Sequence, residues 1–393
     1  MELKLGYKQT EVGVIPEDWK VLPLCDLAQI RGGIAKNSNV GATDPISVHY
    51  LRVANVQDGY LDLSEMSKIE LSRRDLNRYT VLPGDVLMNE GGDLDQLGRG
   101  ALWRGEFNPC VHQNHVFVVR CKPTLLPNYL NVWTASSPAR RFFLSVGKQT
   151  TNLASISKTS LGGLPVAVPS FPEQEVIAEA LSDADSLIES LEQLVAKKHH
   201  LKQGAMQDLL TGKKRLPGFS GEWEAKQLGN VAPLQRGFDL PNPQLRQGIY
   251  PVVYSNGVLN QHVIFQVRGP GVVTGRSGTI GKVCFIEQDY WPHNTTLWVT
   301  NFKGNDPKFI FYLLNSIGLE RFSSGSGVPT LNRNDVHSHT VCIPLSEGEQ
   351  SAIATVLSDM DAEIVELEAQ LAKARTIKQG MMHKLLTGEI RLP

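Results

Sequence analysis

The sequence predicts an α+β protein in which two similar mixed domains are separated by two long antiparallel helices. The helices form a coiled coil, and the whole is a pseudo-two-fold, circular repeat. Three observations carry this. Residues 346–393 repeat residues 170–217 at a constant shift and without a gap, with 25 of 48 positions identical. Each copy has an apolar seam of mean period 3.5, the spacing of a left-handed coiled coil. The segment that follows the first copy, GFSGEWEAKQLGNVA, also opens the chain as GVIPEDWKVLPLCDLA.

The opening segment comes first along the chain. Trp19, Leu24 and Ala28 match Trp223, Leu228 and Ala232 at one shift. The order is therefore opening segment, variable block, repeat, and then the same again. Internal repeats fix architecture before any local reading. They divide the chain into a first domain with its opening segment (1–169), a first helix (170–217), a second domain (218–345) and a second helix (346–393).

The repeated segments read as helices. In the first, Ile177, Leu181, Ala184, Ile188, Leu191 and Val195 alternate spacings of four and three; in the second, Ile353, Leu357, Met360, Ile364, Leu367 and Leu371 do the same. Each opens with a capping-box pattern, Ser170-x-x-Glu173 and Ser346-x-x-Glu349, in which the Glu is expected to reach back to the helix start. Each ends on Leu-Leu-Thr-Gly, where Gly212 or Gly388 suits a left-handed terminus. Residues 174–210 would span ~55 Å. Neither helix can bury its seam alone. The other copy is the simplest partner, and a two-fold relation makes the pair antiparallel. A helix hairpin inside one domain is the competing reading, but the blocks between the copies are too long for a hairpin loop.

The variable blocks share a pattern more than a sequence. Both have short β-prone runs such as Val116-Phe-Val-Val119 and Thr296-Leu-Trp-Val-Thr300. Both place Pro-Gly before an apolar strand and a glycine loop after it (Pro83-Gly84, Gly91-Gly92; Pro270-Gly271, Gly275 to Gly278). Both step through His or Asn into a strand (Gln113-Asn114-His115; His293-Asn294-Thr295) and carry a late aromatic helix (Tyr129 to Phe143; Phe309 to Phe322). The same fold is expected twice.

Charge follows this division. The chain has 39 basic and 40 acidic residues, a net of −1, which excludes a generically cationic DNA-coating protein. The two helical segments carry a net of −5, and each block +2. Arg and Lys beside loop glycines suit phosphate contact and base-edge reading. From such polar loops, the expected DNA contacts in the first block are Arg31, Lys36, Arg52, Asn55, Asn89, Arg99, Gln113, Asn114 and Asn152. In the second they are Arg236, Asn256, Arg276, Ser277, Lys282, His293, Asn294 and Arg333.

A search for catalytic patterns returns nothing convincing. Gly275 to Val283 resembles a phosphate loop, but its glycine spacing is off by one and Val283 stands where a Ser or Thr should bind magnesium. His112-x-x-His115, His199-His200 and His337-x-His339 lack Cys or carboxylate partners at ligand spacing, so no metal site is expected. Asn108-Pro109-Cys110 lacks the second proline and aromatic of an amino-methyltransferase motif. The five cysteines are scattered and read as reduced thiols of a cytoplasmic protein. The start is polar, unlike a signal peptide, and no stretch of ~20 apolar residues would span a membrane.

The chain closely resembles the specificity (S) subunits of type I restriction–modification systems. The residues that carry the resemblance are the two Glu-Gln-x-x-Ile-Ala starts (Glu173 to Ala178; Glu349 to Ala354), the two Leu-Leu-Thr-Gly ends and the opening Gly13-Val-Ile-Pro-x-x-Trp19. The resemblance implies two target-recognition domains, each reading half of a bipartite, asymmetric double-stranded DNA target. It implies that the helices set the gap and dock two modification (methyltransferase) subunits. It implies no catalytic residue and no cofactor in this chain. S-adenosylmethionine, ATP and magnesium would belong to the modification subunits and to restriction (translocase and nuclease) subunits. Alternatives are a DNA-specificity module of a type IIB or other phage-defence system, and an enzyme using the glycine loops.

Overall fold

The structure, a computed structural model, describes residues 5–35, 45–93, 97–98, 100–149, 154–324 and 329–392. It divides into two compact units, Met1–Ser190 with Leu371–Pro393, and Leu191–Gln370.

Unit one is built on a four-stranded antiparallel sheet in the order Ala28–Arg31, Val116–Cys121, Val86–Asn89, Gly100–Leu102. The β-branched run at Val116–Val119 explains its place as an inner strand buried on both faces. Side chains alternate across a sheet. Phe117 and Val119 therefore enter one core with Val86 and Met88, while Val116 and Val118 enter another with Leu87 and Trp103. A three-stranded sheet (Cys110–His112, Ile46–Leu51, Ser67–Leu71) and a two-stranded one (Lys20–Pro23 with Pro165–Val168) complete the frame.

Unit two repeats this connectivity strand for strand. Its four-stranded sheet runs Leu234–Arg236, Thr296–Val299, Gly271–Gly275, Val283–Ile286. Tyr250–Tyr254 pairs antiparallel with Gly257–His262 and parallel with Trp291–Pro292, as the first unit's Ile46–Leu51 pairs with its two neighbours. Trp223–Gln227 pairs with Thr340–Pro344.

The late aromatic helices are shorter than the sequence pattern predicts. In unit one the helix breaks into Pro127–Thr134 and Ser137–Val146, because Ser136 caps the second piece and Pro138 occupies its first turn. In unit two the α-helix Pro307–Ile317 stops at Gly318, at φ 68°, and Leu319–Phe322 continues as a 3-10 turn.

The long helices are Phe171–Leu209 and Glu347–Leu386. In unit one, Ile177 and Leu181 share a core with Leu385 and Leu386, and Asp185 pairs with Lys378. In unit two, Ile353 and Leu357 share a core with Leu209 and Leu210. Further along, Asp361 pairs with Lys202 and Glu363 with Lys198. Numbers rise on one helix as they fall on the other, so the pairing is antiparallel. Ile364 and Leu371 are buried, whereas Ile188, Leu191, Val195, Met360 and Leu367 are half-buried. The four-three spacing continues past Val195 to Lys198 and Lys202, whose stems cover the seam while their heads meet carboxylates.

The capping boxes are a correction. Glu349 uses its backbone N–H toward Ser346 Oγ (3.3 Å), but neither Glu side chain returns to its own helix start. Glu349 is buried and takes a two-point pair from Arg215 (Nε to Oε1 2.5 Å, Nη2 to Oε2 2.7 Å). Glu173 accepts from Trp19 Nε1 (3.1 Å) and from Arg391 Nη2 (2.9 Å). Each arginine also lies over the opening-segment indole of its own unit, Arg391 over Trp19 and Arg215 over Trp223. The neighbouring glutamines fasten the domain. Gln174 donates to the Thr124 and Pro169 carbonyls and accepts from Leu126 N–H; Gln350 accepts from Asp306 N–H and donates to Asn305 Oδ1 and the Pro344 carbonyl. The repeated Glu-Gln is thus a clamp joining helix start, opposite helix end and domain.

Candidate nucleic-acid interface

In unit two, several expected contacts meet at one end of the four-stranded sheet. Arg276 N–H and Ser277 N–H both donate to the Thr295 carbonyl (2.8 and 3.1 Å), and Ser255 N–H donates to Thr295 Oγ1. Lys282 Nζ donates to the Asn256 carbonyl at 2.7 Å, so the 255–257 turn and the 276–282 loop are tied together. The His293 ring lies 4.4 Å from that of Tyr254, and burial holds its imidazole below the usual value. Asn294 and Arg236 both donate to Asp239. Leu331 N–H donates to the Arg276 carbonyl, which places Arg333, exposed at the start of the helix Arg333–Ser338, two residues from the same loop. Arg276 itself has no side-chain partner among the described residues.

The corresponding end of unit one is assembled differently. Arg31 closes the edge strand, and its guanidinium donates to Gln29 Oε1. Gln113 and Asn114 are half-buried in the turn before Val116; Asn114 Nδ2 lies 3.2 Å from His115 Nε2. Asn55 is buried and turned into its own loop. It is 3% exposed, accepts from Arg52 N–H and donates to the Asp62 and Glu65 carbonyls, holding the 53–65 loop. Arg52 serves the same loop through the Glu65 carbonyl. Asn89 is buried too, its Nδ2 spent on the Val53 and Val56 carbonyls. Asn55 and Asn89 are framework residues, since a buried amide is held by the carbonyls it satisfies, whereas Arg52 stays half-buried. Lys36, Arg99 and Asn152 lie outside the described residues.

The glycines beside the arginines have a structural reason of their own. A Cβ on Gly33 would sit 2.2 Å from the His112 and Gln113 carbonyls, and one on Gly237 would sit 2.2 Å from that of His293. Here two backbone segments cross in parallel, bridging Ile34 to Gln113 and Phe238 to His293. Phosphate binding is not needed to explain them.

Two features escaped the sequence reading. One is the Glu90–His115 pair (Oε2 to Nδ1 2.7 Å) at the strand end of unit one. The other is a cleft of about 280 Å³ beside it, lined by Val53, Ala54, Val56, Asn89, Gly91 and Gly92. Glu90 lies directly between Asn89 and Gly91, so the glycine loop was the available signal. Its partner is 25 residues away and joins it only through strand pairing. Of the histidine motif, His112 is core: burial pushes it down to about 4, and its Nδ1–H donates to the Val116 carbonyl. Among the described residues no three His, Cys, Asp or Glu side chains are grouped to hold a metal. No described helix is long and apolar enough to cross a membrane.

The family model described as "Type I restriction modification DNA specificity domain" matches the chain twice, over residues 16–197 and 220–374. A protein of Methanocaldococcus jannaschii assigned as the MjaX type I restriction enzyme specificity subunit is 27% identical, covering 98% of this chain and 97% of its own. The StySPI specificity subunit of Salmonella potsdam is 23% identical over 96% of this chain and 90% of its own. Among solved structures, the S subunit of a type I system from M. genitalium superposes with a TM-score of 0.62. It covers 98% of both chains at 14% identity, a likeness of fold.

Proposed function

The chain belongs to the type I restriction–modification DNA specificity family, and from that premise we propose how its two units divide the reading. Each unit reads one half of a bipartite, asymmetric DNA target with the loops at the end of its four-stranded sheet. The observation that carries this is the doubling itself: one fold used twice, with different side chains at the same loop positions. Two linked readers bind as one event, so their discriminations multiply. The long helices, 39 and 40 residues, act as the ruler that sets the gap between the half-sites.

The chain does no chemistry of its own in this reading. Two modification subunits bring S-adenosylmethionine and methylate the target; restriction subunits bring ATP and magnesium. The complex works in the cytoplasm. Leu187, Leu194 and Leu201, all exposed and spaced by sevens, form an apolar stripe along the flank of the first helix's seam, which supports docking of a protein partner there.

The test is to insert one heptad after Leu191 and one after Leu367 together. Methylation mapping of DNA modified by the complete complex should then show a changed gap and unchanged half-sites. Altered half-sites with an unaltered gap would refute the ruler.

A further inference from the structure

The repeat lets every loop residue of one unit be matched to its counterpart in the other. Val116 pairs with Asn89 across the inner strands of unit one, and Thr296 pairs with Gly275 in unit two. Asn89 and Gly275 are therefore equivalent, and so are the residues after them, Glu90 and Arg276. Their backbones confirm the match. Glu90 N–H donates to the His115 carbonyl (3.0 Å) and Arg276 N–H to the Thr295 carbonyl (2.8 Å); in return Ile156 N–H and Leu331 N–H donate to the Glu90 and Arg276 carbonyls, each at 2.8 Å. One position of one fold thus carries a carboxylate in one unit and a guanidinium in the other.

The surroundings extend the contrast. The Glu90 carboxylate is held by the His115 imidazole yet keeps 31% of its side chain exposed. Beside it the buried Asn89, which holds the Val53 and Val56 carbonyls, lines the 280 Å³ cleft and leaves Glu90 as the outward-facing group. The Glu90 carboxylate is therefore the accessible acceptor at this position of unit one. At the reading end of unit two Arg276 has no side-chain partner among the described residues, whereas Lys282 and Arg236 on the adjoining loops are held by the Asn256 carbonyl and Asp239. In the major groove a carboxylate accepts from an exocyclic amino group, whereas arginine donates two bonds to guanine O6 and N7.

Resting on the DNA-reading function above, we infer that Glu90 and Arg276 are equivalent specificity-determining residues of opposite hydrogen-bond polarity. Unit one reads a base amino group at this position, and unit two reads a guanine.

The test uses the complex of this chain with its modification subunits, assayed for binding to and methylation of a library randomised across the target. Arg276→Ala should relax one position, a G·C pair, in one half-site; Glu90→Ala should relax one position in the other. Arg276→Lys keeps the charge and should retain overall affinity while losing the guanine preference. Glu90→Gln keeps size and one acceptor, and serves if the alanine variant does not assemble. Base analogues then read the chemistry. At the Glu90 position, a base lacking its amino group should weaken the wild type by about 5- to 150-fold and leave Glu90→Ala unmoved. 7-Deazaguanine at the Arg276 position should do the same for the wild type against Arg276→Ala. The inference is overturned if either variant weakens all sequences alike, if both relax the same half-site, or if the analogues affect variant and wild type equally. A wild-type complex with no sequence preference would instead overturn the DNA-reading proposal, and this inference with it.

Discussion

Removing Arg215 should expose how the repeated clamp works. Glu349 has 1% of its side chain exposed, and Arg215, at 28%, supplies both of its charge-assisted hydrogen bonds. Arg215→Ala leaves a carboxylate in a dry site without a counter-charge. Breaking a buried pair from one side costs about 3–5 kcal/mol, and the low end applies here because the arginine still touches water. The alternative of replacing both partners by apolar residues of similar volume is often neutral. Arg215→Met with Glu349→Leu should therefore recover most of the loss. The assay is amide hydrogen exchange read on the helix Pro307–Ile317, which reports the opening free energy of unit two, with Pro127–Thr134 of unit one as the internal reference. A single-variant cost below about 1 kcal/mol, or a double variant no better than the single, would refute the argument that an unpaired buried charge dominates.

Three further outcomes are expected. His112 is buried neutral, so the unfolded chain binds its proton at higher pH than the folded one. Its stabilising effect is present in full above the ordinary value of 6.5 and drains as pH falls toward about 4. Across that window the wild type should lose about 1.4 kcal/mol per pH unit more than His112→Asn in urea unfolding, and parallel pH profiles would contradict this. Gln174→Ala removes the acceptor of Leu126 N–H and the donor to two carbonyls, at 1% exposure. It should cost on the order of 2–4 kcal/mol in thermal unfolding, whereas a solvated glutamine would cost almost nothing. Gly388→Ala puts a side chain at φ 66°, where its Cβ would lie 2.4 Å from Pro16 Cγ. Unfolding of unit one should shift by at least about 1 kcal/mol, and an unchanged midpoint would mean that the opening segment yields freely.

Much of the fold was legible because repetition turns one chain into its own comparison. Two copies of a four-three seam, two terminal glycines and two tryptophan segments state the architecture without any tertiary knowledge. The candidate site was legible as a set of loops and poorly legible as residues. Asn55 and Asn89 look like base readers because both are polar and sit near strands. Both are buried, because the 53–65 loop folds back and offers carbonyls that need donors. Glu90 is marked in the sequence only by the glycine loop that follows it, because its partner His115 lies 25 residues away.

The sequence by itself determined period, symmetry and the order of parts, since these depend only on spacings along the chain. Tertiary structure decided which polar side chains are framework and which face outward, because that depends on partners distant in sequence. The clamp shows the division. Glu173 and Arg391 are each visible in the repeat, yet they stand 218 positions apart and meet only when the end of the second helix returns to the start of the first. A pattern written for a helix cap is then claimed by a stronger partner: a buried carboxylate binds a guanidinium in preference to a backbone N–H, because two charge-assisted bonds outweigh one.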